Sequence, residues 1–352
     1  MGAWSLVSAR LLGLGTLAYA LAVGVHARNG FRRRLPDRWS SLGTTATLTA
    51  LAFLLWQDGA QLLPAPFGAT LALALAAIAV GILLYTVLHL QRLVDRLQAA
   101  FPPPLELDLE TRRKTPHLLL GLTLLSYTPL SHLILTGLAV LGVGDPGEWR
   151  LNLAAARDAG TAAGGHLVAL WVVLFLLYGL LPIELLRLGA PDSEFPFKRT
   201  ILRRLRASES GLLGAHVHLL AALAVAWLVL VPGPAAFAQG VPLCAAILAV
   251  TVFADAAAAL VGRPWGRRKH PHNPGKSWLG TFAGAAVAFL VAWPATGTLL
   301  AAAAAAVFLV VDLLAPRPFP VSDNILNPLA LALVFAPLSG LAHPIVPWLA
   351  SP

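Results

Sequence analysis

The apolar residues of this chain come in long blocks separated by short polar islands. The blocks run near 4–26, 41–63, 67–91, 117–141, 164–186, 211–232, 239–261, 278–294, 296–314 and 324–348. A helix needs about 20 mostly apolar residues to cross a bilayer. The pattern therefore predicts an all-α, polytopic transmembrane bundle of ten helices, or nine, because 278–294 is short and Pro337 interrupts the last block. The first block reads as a membrane helix and not as the short apolar region of a cleaved signal.

Composition agrees with the blocks. Of 352 residues 58% are hydrophobic and only 12% charged, with mean hydropathy +0.76. Soluble domains carry about 25% charged residues. The single cysteine, Cys244, lies in an apolar run, where a core role is expected and no internal disulfide can form. A net charge of +9 could suggest nucleic acid. In a membrane protein it marks cytoplasmic loops and anionic headgroups instead, so no nucleic-acid partner is expected.

The placement of those charges orients the bundle. All of the 25 Lys and Arg residues except Arg10, Arg150 and Arg157 fall in the first, third, fifth, seventh and ninth loops. The positive-inside rule then puts both termini on the non-cytoplasmic side and every odd loop in the cytoplasm. In a bacterium the membrane would be the inner one. No period of 20–50 residues repeats. The Ala301–Ala306 run reads as a small-residue face that lets helices approach closely.

One island is richer than the rest. "DAAAALVGRPWGRRKHPHNPGKSWLG", Asp255 to Gly280, falls in the seventh loop. Its aspartate ends a membrane helix, where a carboxylate costs several kcal/mol unless it is paired, bound to a metal or at the interface. Asp255, Ala258 and Gly262 share a helix face, and Gly266 follows in a loop that can turn tightly. Lys276 and Ser277 stand at the mouth of the next helix, where free N–H groups and the dipole favour an anion. An acid able to hold Mg²⁺, a glycine loop, a lysine and a helix start together describe a phosphate site. An interfacial loop touching lipid phosphates is the alternative.

The order Asp-x-x-Ala-x-x-x-Gly-x-x-x-Gly, then Lys-Ser-x-x-Gly, resembles the CTP-binding motif of the dolichol kinase and phytol kinase family, to which CTP-dependent diacylglycerol kinases are similar. Here it is carried by Asp255, Ala258, Gly262, Gly266, Lys276, Ser277 and Gly280. Further segments match in the same order. "ETRRKTPH" resembles an Arg-Lys-x-x-His signature through Arg113, Lys114 and His117, and "IELLR" a Glu-x-x-Arg helix end through Glu184 and Arg187. "RRLRASESGLLGAH" supplies Arg204, Glu209, Gly214 and Ala215, and "VSDNILNPL" supplies Asp323, Asn324 and Pro328. The resemblance covers about 105–341, a polyprenol-kinase-like membrane domain, and leaves 1–100 as an added three-helix N-terminal region. The chain departs from the family pattern in four places. Leu279 stands where a glutamate is usual, Ala254 where a glycine is, Gly275 where a second lysine is, and Asp312 where a glutamate is.

The resemblance implies an integral membrane kinase that moves the γ-phosphate of CTP to the hydroxyl of a lipid alcohol of the dolichol, phytol or farnesol type. Its nucleotide site would face the cytoplasm. CTP would be the donor and Mg²⁺ the cofactor, held by Asp255 and Asp323. Catalysis would fall to Asp255, Lys276, His117 and Asp323. Nucleotide contacts would come from Ala258, Gly262, Gly266, Lys276, Ser277, Gly280, Arg113, Lys114, Asn324, Glu184, Arg204 and Glu209. Competing structural roles are plain for some of these: Glu184 and Arg187 could pair within one helix turn, and Asp323 or Asn324 could cap a helix. His270 and His272 flank Pro271 in a basic loop and are expected to be solvated. A cytidylyltransferase of the CDP-diacylglycerol synthase kind is a rival reading, although "APRPFPVSDNILNPLALAL" lacks the Lys-Asp, His-Gly-Gly and Asp-Arg elements of that signature. A transporter or non-catalytic scaffold is another rival, disfavoured because the charges gather in loops.

Overall fold

The computed structural model describes residues 3–57, 111, 114–115, 117–127, 160–189, 211–232, 236–346 and 349. Among them are nine α-helices and no strand: α1 (Ala3–Arg33), α2 (Arg38–Gln57), α3 (Gly160–Gly189), α4 (Ala215–Leu230), α5 (Phe237–Ala249), α6 (Asp255–Gly262), α7 (Trp278–Thr296), α8 (Thr298–Leu314) and α9 (Asp323–Phe335). Short 3-10 segments cover Gly121–Tyr127 and Ala336–Leu341. Among the described residues five helical stretches are long and apolar enough to cross a membrane: Ala9–Arg33, Val168–Gly189, Ala238–Gly262, Trp278–Thr296 and Asp323–Leu341. The chain is an integral membrane protein built as a helical bundle.

The centre of the bundle is α4. Of its 16 residues only Ala215, His216 and Val229 are not buried. A helix apolar all round belongs inside a protein, and α4 packs on α2, α3, α5 and α9. Its Trp227 is fully enclosed, so the indole N–H must find an acceptor, and it donates to the Cys244 carbonyl at 3.1 Å. Cys244 is itself buried, as its apolar setting predicts.

Predicted and observed spans differ where local chemistry intervenes. The first helix runs on to Arg33, because arginines near a helix end can extend their heads to the interface while their stems stay apolar. The 211–232 block becomes helical only at Ala215. The last block stops at Phe335 and tightens into a 3-10 turn holding Pro337. The 67–91 block lies outside the described residues, as do Arg113, Arg204 and Glu209.

A π-helical turn, Val250–Ala254, joins α5 to α6 inside one apolar span. Thr251 Oγ1 donates back to the Ile247 carbonyl at 2.8 Å within this stretch. A π-turn adds a residue to the helical repeat and rotates all that follows. The residue that follows is Asp255.

Candidate functional site

The glycines of the opening motif are explained first by packing. At Gly262 an added Cβ would lie 2.9 Å from Gly280 Cα, and at Gly280 one would lie 2.6 Å from the Ala258 carbonyl. Helices α6 and α7 thus touch backbone to backbone, which only small residues permit. At Gly266 a Cβ would meet the Gly262 carbonyl at 2.3 Å.

The connecting loop closes on itself. Gly266 N–H donates to Gly262 O, His270 N–H to Lys276 O, Lys276 N–H to Asn273 O, and Trp278 N–H to Arg268 O. Ser277 is the N-cap of α7: its Oγ accepts from Gly280 N–H at 3.2 Å and donates to Gly262 O at 3.0 Å. Most of the loop's amides are therefore spent internally, and the loop's cationic side chains that line the cavity are Lys276 and Arg263.

Two clusters of charge face each other across a cavity of about 170 Å³. In one, Lys114 Nζ donates to Asp255 Oδ2, and His117 Nδ1 stands 3.4 Å from the same oxygen. In the other, Lys276 Nζ donates to Asp312 Oδ1 at 2.6 Å and to Asp323 Oδ2 at 2.8 Å. Asp312 Oδ2 accepts from the Thr281 hydroxyl. Burial alone would lower the pKa of Lys276, but Asp323 and Asp312 outweigh it and the pKa is raised. Helix capping does not occupy Asp323, because Ser322 is the N-cap of α9 and accepts from Asn324 N–H at 3.2 Å. That leaves the Asp323 carboxylate free to reach Lys276.

The cavity wall gathers Lys114, Asp255, Ala258, Gly262, Lys276, Ser277, Gly280, Asp323 and Asn324 from the residues singled out in the sequence. Gly266 packs behind it, and His117 is buried behind Asp255. The wall also holds Asp312, Thr281, Arg263, Ala259 and Gly275. Asp312 carried a sequence signal, an isolated acid ending an apolar block; Thr281 carried none. Leu279, at the position where the resembled family has an acid, is 47% exposed and off the wall, between wall residues at 277 and 280. The expectation that His270 is solvated is wrong. It is 2% exposed, because Trp278 covers the ring at a centroid distance of 4.8 Å and Thr281 Oγ1 lies 3.1 Å from its Nε2.

Glu184 is not on the wall. It is fully buried, and its Oε2 accepts from Arg187 Nη2 at 2.6 Å and from Gly214 N–H at 3.0 Å. The neighbouring Leu213 N–H donates to Asp37 Oδ2 at 3.0 Å. Two carboxylates thus sit at the positive end of α4, where they are favoured. Burial would raise the pKa of Asp37, yet its bonds with His26 and Leu213 hold it below the usual carboxylate value. Residues before 100, which carried no readable chemistry, brace the start of α9: Ser40 Oγ accepts from Ser322 N–H at 3.0 Å, and Gly43 lies against Ile325 of α9.

A family model described as the cytidylyltransferase family matches residues 148–335, more than half of the chain. No curated protein and no solved structure matches significantly.

Proposed function

The chain belongs to the cytidylyltransferase family, a CTP-using membrane enzyme family, and from that premise we propose that it transfers the γ-phosphate of CTP to the hydroxyl of a lipid alcohol. The observation that carries this reading is the paired arrangement across the cavity, Lys114 on Asp255 opposite Lys276 on Asp312 and Asp323. Phosphoryl transfer is chiefly positioning and charge neutralisation. Two ammonium groups suit a triphosphate, and the carboxylates suit the hydroxyl proton. On the charge argument the cavity opens to the cytoplasm, where CTP is, and the acceptor enters sideways from the bilayer.

In this reaction the lipid oxygen attacks the γ-phosphorus, the bond from that phosphorus to the β–γ bridging oxygen breaks, and CDP leaves. Lys276 binds the phosphate being transferred, and Lys114 the remainder. The hydroxyl proton passes to Asp255 or Asp323, both on the wall. His117, behind Asp255, positions that carboxylate. Among the described residues no three metal-type ligands converge. Magnesium is nevertheless commonly held by one or two carboxylates plus substrate phosphates. Asp323 and Asp312, or Asp255, fit that role, and a bound Mg²⁺ would neutralise phosphate charge.

The family match itself favours a second reading, transfer of the cytidylyl group to a lipid phosphate with release of pyrophosphate. Purified protein in detergent, supplied with CTP labelled at either the γ- or the α-phosphorus, separates the two. The acceptor panel is dolichol, phytol, farnesol, diacylglycerol and phosphatidic acid. Label from the γ-position on an alcohol is expected. Label only from the α-position, on a lipid phosphate, would replace the kinase with a cytidylyltransferase. No labelled lipid from any acceptor would sink both.

A further inference from the structure

From Asp312 and Thr281 on the cavity wall a polar chain runs back to His270, a residue to which neither the family motif nor the sequence reading gives a part in the site. Thr281 donates its hydroxyl proton to Asp312 Oδ2, so its remaining lone pairs face other donors. His270 Nε2 lies 3.1 Å from that hydroxyl oxygen. The network therefore assigns the proton of His270 to Nε2. Its Nδ1 is buried and makes no hydrogen bond of ordinary geometry, and the Ser277 backbone also bonds the ring.

We propose that His270 is a positioning residue for the nucleotide site, acting through Thr281 to fix the Asp312 carboxylate that holds Lys276. Asp312 has both oxygens engaged, Oδ1 by Lys276 and Oδ2 by Thr281. The Thr281 hydroxyl therefore helps to set its orientation, and with it the place of the ammonium, which the Asp312 carbonyl and Asp323 also hold. With His270 donating, the hydroxyl can point only at Asp312. Without it, Thr281 is free to rotate toward a backbone carbonyl one turn back, and the Asp312 carboxylate that holds Lys276 loses the bond at its second oxygen. The backbone of His270 reinforces the link, since its N–H donates to the Lys276 carbonyl at 3.1 Å.

The inference rests on CTP binding at this cavity but not on which of its phosphorus atoms is transferred. The test measures CTP affinity by equilibrium titration of the purified full chain, together with the KM and kcat of whichever transfer it performs. His270→Leu should weaken CTP binding and raise KM about five- to tenfold, the worth of one hydrogen bond, with kcat changed far less. His270→Gln, whose amide N–H can reach the same hydroxyl, should restore affinity to within about threefold on the same scale. The double variant His270→Leu/Thr281→Val should be no weaker than Thr281→Val alone. Unchanged affinity in His270→Leu, equal loss in the glutamine variant, or multiplying effects in the double variant would each overturn the proposal. If His270→Leu does not fold, ¹⁵N-histidine spectra of the wild type decide. An Nε2–H resonance for His270 that shifts in Thr281→Val upholds the link, and an Nδ1–H tautomer refutes it. The same spectra decide if the wild type binds no CTP, an outcome that would by itself remove the CTP reading of the cavity.

Discussion

The bundle contains two groups of charged side chains built on opposite plans. At the start of α4, Glu184 and Asp37 accept from backbone N–H groups, and Glu184 also pairs with Arg187 within one helix turn. Glu184 and Arg187 are 0% and 3% exposed, so this group is closed. Around the cavity, Asp255, Asp312 and Asp323 meet lysines from distant parts of the chain, with space in front of them. Both groups look alike in a motif. The difference is what satisfies the carboxylate. Backbone N–H groups cannot leave, whereas a lysine ammonium can turn to a phosphate. On the proposed function, the carboxylates answered by backbone N–H groups hold the fold, and those answered by lysines across the cavity serve the transfer.

Removing a member of each group should therefore have opposite readouts. Glu184→Ala takes the carboxylate from buried Arg187 and from Gly214 N–H. It should cost about 3–5 kcal/mol of stability, seen as a lower Tm and poor yield, while the folded fraction keeps most of its affinity for CTP. Lys276→Met should do the reverse, lowering transfer activity about 10²–10³-fold, as loss of one electrostatic stabiliser does, with a smaller change in Tm. If the two variants lose stability and activity in parallel, the distinction between the groups fails.

The glycine crossing sharpens the comparison, because it borders the cavity yet is explained by packing. Gly280→Ala would press a methyl group against the Ala258 carbonyl and Gly262 Cα. A loss of about 1–3 kcal/mol is expected, read in thermal unfolding with and without CTP. A smaller effect still is expected at Leu279. Its side chain is exposed and off the cavity wall, so Leu279→Glu should alter CTP affinity by less than about threefold, the range of an ordinary surface change. A large gain would mean that this position reaches the nucleotide after all. The smallest effect is that of pH. The folded-state pKa of Lys276 is raised, so its stabilisation is complete below about pH 10.4 and is lost only as pH climbs through the folded value. The Tm difference between wild type and Lys276→Met should thus stay constant from about pH 6 to about pH 9.

The bundle itself was legible along the chain, because burial in hydrocarbon demands apolar runs of membrane length, and α7 and α8 begin and end within two residues of the expected blocks. Asp255 was legible for the same reason, since an ionisable group at the end of such a run is expensive unless used, whereas Lys276 was read from its place at a helix start and Asp323 through the family resemblance. What the chain alone left undecided was direction. The π-turn before Asp255 and the Ser322 cap before Asp323 fix where those carboxylates point. Neither has a residue pattern distinct from an ordinary helix or turn.

Tertiary structure decided the partners. That Lys114 meets Asp255, that Lys276 bridges two acids from α8 and α9, that Leu279 lies off the cavity wall, and that His270 is buried against Thr281 all depend on which helices cross and at what angle. Residues of the N-terminal α1–α2 region could be seen to brace α9 only once Ser40 was found beneath Ser322. The physical reason is range. Hydrophobic blocks report a residue's preference for lipid over water, which each residue carries by itself. A hydrogen bond or ion pair needs two groups within about 3 Å of each other, and only the packed helices bring them there.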